Sequence, residues 1–160
     1  MKGPYMSSLE ITQALESSEF FKGLELSSIE QIASLCRAET YDPGEYIFRQ
    51  GDFGEHLYVI AEGHIFLERS MDMGARQGSV VIGILGKGRV FGCWSTLLGE
   101  PHNLMSSATC QKPTKVVAIK GSDLRQLMLG STELGFKVLE RLCFLLRDRI
   151  QGAYGAMEKI

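Results

Sequence analysis

Apolar and polar positions follow one rhythm at the two ends of the chain and another in its middle, and each rhythm predicts its own kind of element. Up to residue 40 the rhythm is helical. Ser7 with Glu10, and Ser27 with Glu30, each match S-x-x-E, in which a hydroxyl and a carboxylate satisfy the free amides of a helix start. Behind the second pair, Ile29, Ile32, Ala33, Leu35 and Cys36 recur at helical spacing, which gives two short helices joined through EFFKGL. From Tyr41 the texture changes. YDPGEYIFRQGDFGEHLYVIAEGHIFLER alternates short β-branched and aromatic runs with turn residues, Pro43-Gly44, Gly51-Asp52, Gly54 and Gly63 falling between the runs. SVVIGILG, GRVFG, ATCQ and KVVAIK continue the series. Strands this short and evenly spaced predict a jelly-roll-like antiparallel β-barrel in which each strand buries one face.

At Gly121 the helical rhythm returns. Ser122 and Asp123 can cap a brief helix, DLRQLML, and Gly130-Ser131 breaks it and starts a longer one, TELGFKVLERLCFLLRDRIQGAYGAM. In the longer helix Val138, Leu142 and Leu145 form one apolar stripe, and Leu139, Cys143, Leu146 and Ile150 another. That arc is wider than one contact needs, so the helix is expected to have two partners. The fold class is α+β, a single domain over residues 1–160: N-terminal helices over 1–40, a β-roll over 41–120 and closing helices over 121–157.

Composition narrows the function. A chain of 160 residues with 44% hydrophobic content suits one domain with a sizeable core. The formal net charge of −2, with the basic residues scattered, lacks the footprint of a nucleic-acid binder. No apolar run approaches a membrane span, and MKGPYMSSLEITQALE turns polar too early for a signal peptide, which points to the cytoplasm and no membrane. The four cysteines have no zinc-site spacing, and Cys36, Cys110 and Cys143 read as small buried hydrophobes. His56 and His64 have no partner at metal-ligand spacing, and the clustered His and Glu ligands of jelly-roll metalloenzymes are missing. No metal, no cofactor and no enzymatic activity are expected.

With these elements in place, GEYIFRQGDFGEHLYVIAEGHIFLER, the FFKGL helix before it, GKGRVFG and the two closing helices resemble the cyclic nucleotide-binding domain of catabolite-activator-type transcription factors, cyclic-nucleotide-dependent kinases and gated channels. The resemblance covers roughly residues 20–150. It implies a β-roll with a phosphate-binding cassette, F-G-E-x-A-L followed by R-[ST]-A, here spanning residues 91–110. In that cassette backbone amides cradle the cyclic phosphate, an Arg neutralises it and the Glu accepts from the ribose hydroxyl.

Phe91-Gly92 match, but Cys93 stands at the Glu, and Trp94-Ser95-Thr96-Leu97-Leu98 continue a degenerate helix. Anchoring on Ser107-Ala108 puts Ser106 at the Arg position; anchoring on Gly99-Glu100-Pro101 puts His102 there, with NLMS as a longer loop. Either way the Arg is missing. The candidate ligand site is Gly92, Cys93, Trp94, Ser95, His102, Ser106, Ser107 and Ala108. The resemblance with altered charges implies a regulatory sensor module that has lost ordinary cyclic AMP or GMP binding and takes another small ligand. The alternative is a dimerising or partner-binding scaffold whose pocket is filled by Trp94, Leu97, Leu98, Leu104 and Met105.

In the family the long helix pairs with its two-fold mate, which implies a homodimer through Leu139, Leu142, Leu146 and Ile150. Packing of the same surface on the N-terminal helices is the competing outcome. The sequence shows no helix-turn-helix segment after the long helix, so direct DNA reading is not expected, and output would go through dimerisation or an unknown downstream protein partner.

Overall fold

The computed structural model describes residues 6–100 and 102–159, so Met1–Tyr5, Ile160 and Pro101 of the second cassette anchor lie outside the described residues. Helix α1 (Ser8–Glu16) starts with the expected reciprocal cap, Ser7 accepting from the Glu10 amide while Glu10 reaches back to Ser7. The second box does not form. Helix α2 (Leu26–Ser34) begins one residue before Ser27, with Glu25 at the N-cap and no side-chain cap bond, so Ser27 lies inside the first turn. Ile29 and Ile32 are buried as the spacing predicts, but the chain leaves the helix at Leu35 and Cys36 opens a strand.

Among the described residues eight strands follow: β1 (Cys36–Tyr41), β2 (Tyr46–Phe48), β3 (His56–Glu62), β4 (Ile65–Asp72), β5 (Gln77–Leu85), β6 (Val90–Gly92), β7 (Ser107–Cys110) and β8 (Thr114–Lys120). They form two antiparallel four-stranded sheets, ordered β1-β8-β3-β6 and β2-β7-β4-β5. The roll is therefore a double sheet with flanking helices. Cys36 is drawn into the first sheet by its pairing with Ile119.

Burial explains the two strand textures. On β3, Tyr58 and Ile60 point between the sheets, while Leu57 and Val59 point to a second core shared with the helices; on β8, Val116 and Ala118 alternate in the same way with Val117 and Ile119. A sheet covered on both faces needs near-continuous apolar strands, which is why LYVI and VVAI carry no polar residue. The β4-β5 pair has one solvent face and keeps the alternation, Ile65 and Leu67 buried between more open neighbours.

Two helices close the roll, α3 (Gly121–Gly130) and α4 (Thr132–Met157). Helix α3 begins at Gly121 with no side-chain cap, so Ser122 and Asp123 lie in its first turn and do not cap it. Ser131 caps α4 as expected, its side chain accepting from the Leu134 amide. The two stripes of α4 separate cleanly. Val138, Leu142 and Leu145 join Phe20, Phe21, Ile29 and Ile32 in the helix-side core. Leu142 is only 4% exposed, so it cannot serve as a seam residue; it belongs to the chain's own core, and part of the wide apolar arc is met internally. Leu139 and Ile150 remain 39% and 52% exposed, and Leu146 is half-buried. Among the cysteines, Cys93 and Cys110 are buried and Cys36 half-buried, but Cys143 is exposed on the outer stripe, contrary to its reading as a core residue.

Candidate functional site

The cassette is positioned by three neighbours. Strand β6 pairs with β3, and the Cys93 amide donates to the His56 carbonyl at 2.8 Å, which fixes the exit from the strand. Gly92 adopts φ 119° there, and a Cβ would lie 2.5 Å from the His56 carbonyl oxygen, so the turn requires glycine for both reasons. The chain then makes a short 3-10 turn, Trp94–Leu98. Thr96 Oγ1 donates to the Cys93 carbonyl at 2.8 Å, and Arg125 of α3 donates to the Leu97 carbonyl at 2.7 Å. Gly121 packs so closely on Thr96 that a side chain would overlap it, so α3 can seat on the cassette only through a glycine. Beyond the turn, the loop is strapped to residues 51–54: Gly54 N–H to the His102 carbonyl, Leu104 N–H to the Asp52 carbonyl, Gly51 N–H to the Leu104 carbonyl.

The sequence-predicted residues divide into two sets. Gly92, Trp94, His102 and Ser106 line one cavity of about 110 Å3 between the roll and α4. Cys93, Ser95, Ser107 and Ala108 do not line it. Cys93, 1% exposed, turns into the core between the sheets, its sulfur 3.5 Å from both Ser95 Oγ and His102 Nδ1. Ser95 and His102 share a hydrogen bond, so the imidazole is tied to the cassette helix. Ser107 Oγ accepts from the Gln50 amide at 2.8 Å, a structural bond that pins β7, and Ala108 is fully buried. Trp94 is half-buried against the cavity with its ring centroid 5.4 Å from that of His102.

Of the bulk expected to fill the pocket, Trp94, Leu104 and Met105 line it, Met105 while 52% exposed, whereas Leu97 packs into the helix-side core and Leu98 is 51% exposed. Among the described residues no cluster of three or more His, Cys, Asp or Glu side chains could hold a metal ion, and no helix is long and apolar enough to cross a membrane.

Sequence reading missed the cavity's strongest charge. Arg149 of α4 lines it beside Leu145, one helical turn earlier. Its guanidinium donates to the Val90 carbonyl and lies 4.0 Å from Glu19, while Arg89 holds Glu19 at 2.8 Å in an ion pair that is not a linear hydrogen bond. Burial lowers the Arg149 pKa to about 10, with Glu19 opposing the shift and Arg89 adding to it. Nothing local in the sequence marks Arg149 as a pocket residue; only the packing of α4 across the mouth of the roll brings it there.

Comparison with known proteins places this geometry. Residues 38–131 match the family model described as the cyclic nucleotide-binding domain, well over half of the chain. The chain belongs to that family. The cyclic AMP receptor protein of Thermus thermophilus is 29% identical over 132 residues, 80% of this chain and 59% of that protein. The mouse cyclic nucleotide-gated channel alpha-4 is 33% identical over 78 residues, 49% of this chain and 12% of the channel. The chain thus spans only part of these relatives' length.

Among solved structures, a cyclic nucleotide-binding domain from Methylobacillus flagellatus superimposes with a TM-score of 0.76 at 22% identity, covering 96% of this chain and 84% of that one. The catabolite activator protein of Thermus thermophilus superimposes at 0.68 with 29% identity, covering 88% and 62%. The family and the fold of the domain are therefore those of the cyclic nucleotide-binding domain.

Proposed function

We propose that this domain is a regulatory sensor whose cassette pocket no longer takes ordinary cyclic AMP or GMP and holds a different small ligand. The observation that carries the reading is the fate of the two signature positions. Cys93, in place of the ribose-binding Glu, is turned away from the cavity into the core; the position of the family's guanidinium falls on Ser106 or His102, and the arginine that does line the cavity, Arg149, is engaged by the Val90 carbonyl and Glu19. Losing a charged hydrogen bond to phosphate forfeits about 1.5–3 kcal/mol, and losing the ribose acceptor about 1–2 more. Together these weaken binding by roughly a hundredfold to several thousandfold. Size supports the reading: the narrow part of this cavity, about 110 Å3, is smaller than the cavity of about 150 Å3 that holds one benzene ring.

The alternative of a self-filled scaffold draws on Trp94, Leu104 and Met105, which line the cavity. The residual volume favours the binding reading.

The same proposal includes a homodimer through α4. Phe136, Leu139, Cys143, Leu146, Ile150, Ala153 and Met157 succeed one another in steps of three and four along the helix; Leu146 and Ala153 are half-buried, Leu146 against the chain's own core, and the other five are exposed. The signal would pass through that helix pair to a downstream protein. A crystal structure of the purified protein tests the ligand reading: the expected density in the cavity is none or a compact non-nucleotide molecule, and a cyclic nucleotide spanning Gly92 to Ser106 would overturn it.

A further inference from the structure

The cassette loop brings three polar side-chain atoms to one point beside the cavity. Cys93 Sγ lies 3.5 Å from both His102 Nδ1 and Ser95 Oγ, and Ser95 and His102 are hydrogen-bonded to each other. From this geometry we infer that Cys93 and His102 form a binding site for a soft monovalent metal ion of the Cu(I) kind. Bonds of about 2.3 Å to sulfur and about 2.0 Å to an imidazole nitrogen, meeting near the tetrahedral angle, set the two donors about 3.5 Å apart. The pair already has that separation, so an ion enters between the two side chains without movement of the backbone. His102 also lines the cavity, which gives the ion a path to a sulfur that is itself 1% exposed. The nine residues between the two ligands match no metal motif, and only the return of the loop brings them together.

Softness and charge decide the ion. A thiol and an imidazole, with the Met105 thioether lining the same cavity, are ligands that favour Cu(I), whereas hard cations need oxygen donors. Among the described residues no third His, Cys, Asp or Glu joins the pair, so the tetrahedral set of a zinc site is not available. On binding, the Cys93 S–H bond breaks, a sulfur–metal bond forms and the proton leaves to water; no electron is transferred. One thiolate, one neutral imidazole and one monovalent ion sum to zero charge, which an apolar core tolerates. A divalent ion would leave a net positive charge buried there. With Nδ1 on the ion, the Ser95 hydroxyl is released to donate to the thiolate 3.5 Å away. The site stands whether or not an organic ligand fills the cavity.

The test uses the Cys143→Ser protein, which lacks the exposed thiol, titrated with Cu(I) kept reduced by ascorbate under argon and with bicinchoninate as the competing chelator. The protein should withhold about one equivalent from the chelator and release about one proton per ion in weakly buffered solution. The indole N–H resonance of Trp94, the sole tryptophan, should move to a new position, because its ring lies 5.4 Å from that of His102. Adding His102→Gln should weaken retention at least about a hundredfold, the most that loss of a mere supporting partner costs. Adding Cys93→Ser should abolish it. Failure to withhold an equivalent, or retention unchanged by His102→Gln in a folded protein, overturns the inference. If both added variants fail to fold, the Trp94 resonance of the Cys143→Ser protein still decides: an ion held at half-buried Cys36 leaves it in place, which overturns the inference, and an ion at Cys93 and His102 moves it. Binding of a cyclic nucleotide in the cavity would overturn the pocket reading and leave this one standing.

Discussion

Two substitutions on α4, eight residues apart, should have opposite signatures. Leu142 is 4% exposed, among Phe20, Phe21, Ile29 and Ile32 in the helix-side core, whereas Ile150 is 52% exposed on the outer stripe. Leu142→Ala removes buried methyl groups and leaves a cavity, a loss of about 2–5 kcal/mol, which for a domain of this size lowers the melting temperature by roughly 5–20 °C. It should leave the association constant nearly unchanged.

Ile150→Asp costs the single chain little, about 0.5 kcal/mol or less, because the site is half open. In a parallel helix pair it removes about 1 kcal/mol of burial from each chain and sets two carboxylates against one another, so the dimer weakens by about 4 kcal/mol or more, on the order of a thousandfold. Sedimentation velocity over a wide concentration range, with thermal unfolding followed by circular dichroism, separates the two effects. A monomeric unmodified protein at high micromolar concentration, or an Ile150→Asp protein that dimerises as before, would refute the seam.

Cys143 lies on the exposed stripe at a position that meets its own copy in a parallel helix pair, so mild oxidation should give a disulfide-linked dimer on a non-reducing gel, and Cys143→Ser should abolish it. Gly92→Ala places a side chain against the His56 carbonyl at φ 119°, and should destabilise the domain by about 2–4 kcal/mol in denaturant titration. Burial, with Arg37 second, holds the His56 pKa below its usual value. Stability is therefore retained above the unfolded-state value and declines as the pH falls toward the lowered one; His56→Gln should flatten that part of the pH-stability curve.

How much of this was readable beforehand varied with the range of the interactions involved. The cap of Ser7 by Glu10, the cap at Ser131 and the strand punctuation are local, and local chemistry decides them. Ser27 and Glu30 carry the same pattern as Ser7 and Glu10, but the helix starts a residue early and the motif falls out of register. Cys36 has helical spacing, yet sheet pairing with Ile119 on a distant strand outweighs it.

The site shows the same division. Four of the eight expected residues line the cavity because the cassette's course is fixed by β6 and β7. Cys93 turns away because its sulfur finds a place in the core beside Ser95 and His102. Arg149 could not be anticipated: it reaches the pocket only through the docking of α4, a contact between segments far apart in the chain. Leu142 was misassigned because two apolar stripes on one helix look alike until one of them meets Phe20 and Phe21.

The central claim is that the cassette has given up its usual ligand. Calorimetric titration of the purified protein with cyclic AMP and cyclic GMP tests it most directly. With Cys93 buried and no guanidinium at either candidate position, Ser106 or His102, neither nucleotide should give a saturable heat tighter than about 1 mM. A one-to-one isotherm with low-micromolar affinity for either nucleotide would contradict the account.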